Sequence, residues 1–354
     1  MKMKKTLLFI LLLINTVAFG QNHKVFHTSV CYDMLSSFDS YEKLISNPFF
    51  ENTLAGDLNF ITDIKLINQK ARPSNICNLY ASLPSDKFNT KECYLFLKSL
   101  RKEDIPEEFM GQYVENIFDV MPQILNVIEK LINANYQKYW EEQVYPILKQ
   151  NIDNFIFEKG ILDKIHKELI RMSGDGNLSD EYSKIYILDI DNAFSLNDET
   201  FCCTPLLLDK EIAKKFRINF IQVYIHENLH RLYLSKAVIY ELERLYEEDD
   251  FYRENENVAR NYGEGINEAF IVAAETYISR KLGLKTDQEV YLEFNEYVEG
   301  SLVLAPIIYS YFPLKGDNET FDSFLLNLFE TETIKSGTIE KQYYKIMTRL
   351  KNNT

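Results

Sequence analysis

Positive charge is scarce in this sequence, with 39 Lys and Arg against 53 Asp and Glu over 354 residues. Three of the lysines, Lys2, Lys4 and Lys5, fall within the first twenty residues, so the remainder carries 36 against 53, a formal balance of −17. Such a surplus repels a phosphate backbone at long range, and no cluster of five or more basic residues follows to offset it, which argues against nucleic acid as a partner. Past residue 20 no run of 18 apolar residues occurs, which excludes a stable helical span, and no Cys follows the leader to carry a lipid. Cysteine is sparse too: Cys31, Cys77, Cys93, Cys202 and Cys203. No two of them are separated by the two to four residues that a thiolate zinc site favours, and adjacency strains a bridge between Cys202 and Cys203. They read as buried structural residues, at least one of them unpaired. No internal repeat and no low-complexity tract is present.

What the chain does have is enough apolar residue, 46%, to bury one or two cores. The leader MKMKKTLLFILLLINTVAFG has a basic start, an apolar run from Leu7 to Ile14 and small residues at Ala18 and Gly20. It reads as an export signal cleaved near Gly20, which predicts a soluble mature protein, periplasmic or secreted. Residues 21–178 read as a mainly helical region after a short strand around 24–32, with a long apolar stripe, Ile124, Val127, Ile128, Leu131 and Ile132, and a break near Pro146. A Gly/Ser/Asp/Asn-rich loop at 172–181 marks the boundary to a second region, 179–354. There, strands are predicted at 183–191 and 204–211, followed by helices at 217–234, 236–246, 263–282, 288–311 with a kink at Pro306, 320–329 and 338–350. The fold class is α+β, predominantly helical.

Histidine is as scarce as cysteine, with only His23, His27, His166, His226 and His230 in the chain. Two of the five stand in His226-Glu227-Asn228-Leu229-His230, the H-E-x-x-H pattern. On a helix, positions i and i+4 share a face, so two imidazoles can reach one ion while Glu227 points aside toward a water. Both histidines lie one residue past apolar Ile225 and Leu229, at the border of the buried face. His23 and His27, although four apart, lie on extended chain and cannot converge in that way. His166 reads as a helix-surface or boundary residue.

A catalytic zinc takes three protein ligands, which sends the search downstream for a third. Glu268 is the choice, because the residues from Ala269 to Ala274 are all apolar and a buried carboxylate needs a metal, a cation or strong donors. Glu264, one turn earlier, and Glu275, about two turns later, are alternative ligands or partners that orient an imidazole.

His226, Glu227, His230 and the pair Asn267-Glu268 resemble the gluzincins of exported bacterial type, zinc metallopeptidases with a third-ligand Glu on a following helix. The resemblance covers about residues 184–282. It implies a zincin-like core with a small sheet before the motif helix, one Zn2+ per chain held by His226, His230 and Glu268, and Glu227 as the base that cleaves a peptide or protein substrate. Asn267 would then stand beside the third ligand. The chain departs from the family in two respects. Thirty-seven residues separate His230 from Glu268, including an acidic stretch, 241–257, read as an excursion over the cleft. Val272 stands where some members keep an Asp. No third His follows in the metzincin manner, which excludes that type. Among 23 tyrosines, Tyr262 and Tyr277 are candidates for steadying an oxyanion, with Tyr224 also near the motif. Two further readings come from other classes: a catalytically inactive exported binding protein on the same scaffold, and a metal-free helical recognition module with an acidic surface.

Overall fold

Four short segments rich in aromatic and β-branched residues pair into one small sheet: β1 (Phe26–His27), β2 (Lys184–Ile187), β3 (Ala193–Leu196) and β4 (Thr200–Cys203). The order is β1-β2-β4-β3. Strands β1, β2 and β4 run parallel, and β3 returns antiparallel to β4 with Ala193 opposite Cys203. The structure, a computed structural model, describes residues 25–39, 44, 47–71, 76–79, 89–105, 112–155, 160–174, 184–189, 193–196, 200–204, 213–232, 234–262 and 264–353. The leader with its cleavage point, His23, most of the loop at 172–181 and most of the strand expected at 204–211 lie outside these residues.

Among the described residues all other regular structure is helical, and the chain divides into two units, one of residues 1–156 and 183–217, the other of 157–182 and 218–354. This interleaving replaces the sequential division at 178. Parallel pairing explains it, because β2 finds its partner β1 near the start of the chain, drawing 183–217 back to the N-terminal unit.

In the first unit the expected N-terminal strand is only two residues long. Ser29 stops it by accepting a hydrogen bond from the Tyr32 amide at 3.4 Å and capping α1 (Val30–Ser36). Helices α2 (Pro48–Thr53), α3 (Leu58–Lys70), α4 (Thr90–Ser99), α5 (Gln112–Asp119) and α6 (Met121–Asn133) follow. The apolar stripe of α6 is buried at Ile124, Val127, Ile128 and Leu131, each side chain contributing roughly 1.5–3 kcal/mol by leaving water. The helix breaks at left-handed Asn135 (φ 59°). After α7 (Tyr136–Tyr139), a π turn at Trp140–Val144 leads without a gap into α8 (Tyr145–Asn154). Pro146 follows directly on this π turn, which is the interruption expected near it. All five cysteines are buried and unbridged.

Asp33 on α1 is buried, its Oδ2 accepting from Trp140 Nε1 and its Oδ1 from the Asp189 amide, both at 2.6 Å. Burial pushes its carboxyl up to about 8 from an ordinary 3.8, against the two hydrogen bonds and with the charge of Asp189 adding to the rise. The folded state therefore holds this proton more tightly than the unfolded chain. Its contribution is fully present below about pH 3.8 and is lost as pH rises through about 8. Urea unfolding followed by fluorescence of Trp140, the single tryptophan, is expected to show stability falling over that window, with a flatter profile in Asp33→Asn. The same slope in both proteins would refute this.

The second unit begins with α9 (Ile161–Ser173), which ends on Gly174 (φ 76°), where any Cβ would run into the Glu319 carbonyl. The unit boundary falls inside α10 (Ala213–Leu229). The acidic stretch read as an excursion forms two helices, α11 (Lys236–Glu248) and α12 (Asp250–Asn261), joined at Asp249, which caps α12. Charged residues with apolar ones at helical spacing fold as an amphipathic pair: Val238, Leu242, Leu245 and Tyr252 are buried. Helix α13 (Glu268–Lys281) starts five residues later than expected and is buried from Glu268 through Thr276, so it is a central helix. Helices α14 (Asp287–Glu296), α15 (Leu304–Tyr311), α16 (Phe321–Glu330) and α17 (Ile339–Asn352) complete the unit, α13 packing on α15 and α17 on both α14 and α15. The single helix expected at 288–311 is two helices. The break is not at Pro306, which occupies the first turn of α15, but at Tyr297–Gly300. Among the described residues no helix is long and apolar enough to cross a membrane.

Candidate metal centre

Ile225 and Leu229 of α10 are fully buried. One position further along, His226 and His230 come to the rim of that face, with side chains 21% and 28% exposed. His230 lies just past the regular helix, yet its amide still donates to the His226 carbonyl at 3.2 Å, so the i, i+4 register holds. The two Nε2 atoms stand 3.1 Å apart.

Glu268, the first residue of α13, is 3% exposed, and its amide donates to the Gly265 carbonyl at 3.0 Å. Its Oε1 lies 3.4 Å from His226 Nε2 and its Oε2 3.7 Å from His230 Nε2. Donors about 2.0–2.1 Å from one tetrahedral ion stand about 3.3–3.4 Å from one another. The two Nε2 atoms are a little closer than that, and the carboxylate approaches each through a different oxygen, Oε1 at 3.4 Å from His226 and Oε2 at 3.7 Å from His230. Among the described residues this is the group of three whose donor atoms converge, all within 4.8 Å. Two imidazoles and a carboxylate form a donor set suited to Zn2+.

The electrostatics fit ligation. Burial, then His230 and Lys285, push His226 down to about 3, and burial lowers His230. Both imidazoles are therefore neutral at pH 7, the form that binds metal, and their approach to Glu268 is not an ion pair. Glu268 is pushed up to about 7 by burial and by the charge of Glu264, with the Tyr297 hydroxyl opposing and Glu227 adding. A divalent cation is the neighbour that would make this carboxylate easy to ionise.

The other candidates are distributed as follows. Glu227 is half-buried on α10, and its charge reaches Glu268. Glu264, half-buried in the turn between α12 and α13, acts electrostatically on Glu268. Asn267 occupies the N-cap position of α13 without capping it. Glu275 turns to a different network: Ser279 Oγ donates to it at 2.6 Å and Lys285 Nζ at 2.8 Å, and Lys285 also binds Glu293 at 2.9 Å. The contribution of this network to the site comes through Lys285, whose charge favours neutral His226. Exposed Tyr262 donates to Glu299. Tyr277 packs on Phe312 and lines a small cavity with Arg171 and Lys315. Tyr224 is buried in α10, its carbonyl accepting from Asn228 Nδ2.

The tyrosine that does reach the cluster is Tyr297, whose hydroxyl donates to Glu268 Oε1 at 3.1 Å. Nothing in the sequence singles it out, since it falls inside what reads as one continuous helix. No family model, no curated protein and no solved structure matches the chain.

Proposed function

We propose that this protein is an exported zinc metallopeptidase of gluzincin type, with a zincin-like core around α10 and α13. The reading rests on the convergence of His226, His230 and Glu268, two neutral imidazoles and a buried carboxylate whose donor atoms, one from each residue, all lie within 4.8 Å of one another. These three residues would hold the ion. When bound, Zn2+ supplies a Lewis acid that acidifies a water and polarises a carbonyl. Glu227, which directly follows His226, accepts the water proton on its carboxylate and delivers it to the leaving amine. Burial keeps both imidazoles unprotonated so that their Nε2 lone pairs remain available. The leader at 1–20 would direct the chain out of the cytoplasm.

The test is metal content by mass spectrometry on chain purified without added metal, beside His230→Ala. About one zinc per chain, lost in the variant, is the expected result. A chain that holds no metal and takes up none on adding zinc would overturn the proposal and leave a metal-free recognition module as the better reading.

A further inference from the structure

Between α14 and α15 the backbone passes through three consecutive left-handed residues, Val298 (φ 50°), Glu299 (φ 58°) and Gly300 (φ 71°). Glycine is suited to the last: a Cβ at Gly300 would stand 2.8 Å from the Asn295 carbonyl oxygen. Val298 is the opposite case, a β-branched residue in a region that L-residues with branched side chains avoid. Such a conformation persists only where its surroundings over-determine it.

The contacts that hold it can be named. Ser301 Oγ donates to the Val298 carbonyl at 2.7 Å, Tyr262 at the end of α12 donates to the Glu299 carboxylate, and Tyr343 of α17 donates to the Gly300 carbonyl at 3.4 Å. The fourth hold is Tyr297 on Glu268 of α13. Three helices thus fix a turn whose first residue touches a candidate metal ligand.

We infer that Tyr297 is a positioning residue for Glu268: the left-handed turn Val298–Gly300 mounts its hydroxyl against Oε1 and so sets the rotation of the carboxylate relative to His226 and His230. The inference rests on the reading of these three residues as metal ligands. Its physical basis is that the terminal torsion of a glutamate is broad, so the plane of a carboxylate is set by what its oxygens bond to. With the hydroxyl on Oε1, that oxygen stands 3.4 Å from His226 Nε2 and Oε2 stands 3.7 Å from His230 Nε2, one oxygen to each imidazole. The sequence pays a strained backbone at Val298 and gains one orientation of the third ligand in place of several.

The experiment uses the full chain, stripped with a chelator and titrated with Co2+ while the visible d–d bands are recorded. Tyr297→Phe is expected to bind Co2+ roughly 10–100-fold more weakly, the usual effect of losing an outer partner of a ligand, and with an altered band shape. Its metal-free thermal midpoint should match wild type, which separates the effect from unfolding. Gly300→Ala, which displaces the turn and with it an otherwise intact Tyr297, should weaken Co2+ binding in the same direction and carries the test if Tyr297→Phe does not fold. Wild-type affinity and an unchanged spectrum in the variant that folds would overturn the positioning role and leave the metal reading intact. No cobalt uptake by the wild-type chain would overturn both.

Discussion

Glu227→Gln is expected to retain the bound zinc and to lose hydrolysis, with kcat/KM reduced by roughly 10²–10⁴-fold, the usual contribution of a general base. The amide is nearly isosteric with the carboxylate but cannot take a proton. Zinc retention follows because Glu227 is not one of the three converging residues, and removing its charge relieves one of the effects that raise Glu268. The measurement is kcat/KM on a substrate selected from a peptide library, with metal content determined on the same samples. Equal turnover by both proteins would refute the assigned base. Zinc bound in both proteins with no hydrolysis by either would favour the inactive binding protein on the same scaffold.

The second large effect concerns stability. Lys285→Met removes the cation from a network in which Glu275 is buried and Lys285 itself is 5% exposed. Burial works against the lysine charge, yet Glu275 and Glu293 hold its ammonium above the usual range, while burial raises Glu275 despite Lys285 beside it. Removing one partner of a buried ion pair leaves the other charge uncompensated and costs about 3–5 kcal/mol. A sign follows for pH. Without Lys285, Glu275 must be protonated to remain inside, so the folded state binds one more proton than the unfolded chain near neutrality, and the deficit shrinks as pH falls. Urea unfolding of both proteins at pH 7 and pH 5 checks this, with the smaller difference expected at pH 5. A difference below about 1 kcal/mol at pH 7 would show that the triad is not the strong element its burial implies.

Local patterns were legible where a single element decides them. The apolar stripe of α6 and the motif helix α10 follow from side-chain period, because burial of one helical face needs no knowledge of the partner. The border position of His226 and His230 follows in the same way from Ile225 and Leu229. Glu268 could be nominated because a lone carboxylate heading an apolar run has few places to go. Glu275 stood as an alternative, and its pairing with Lys285 was not readable, since the nine intervening residues fold through a helix end and a loop before the lysine returns. The helix expected at 236–246 is present as α11, and the break at Asp249 that starts α12 depends on a capping side chain inside an otherwise helical pattern.

The sequence by itself determined the candidate residues: two scarce histidines at helical spacing, the glutamate between them, a second acidic residue downstream, and a mostly helical chain around them. These are properties of composition and period, which act within one or two turns. Only the tertiary structure decided which carboxylate meets the imidazoles, that β2 returns to β1, and that Tyr297 reaches Glu268. Each of these depends on residues far apart in the chain. The last depends on three left-handed residues that local propensity disfavours and that contacts from α12, α13 and α17 hold in place.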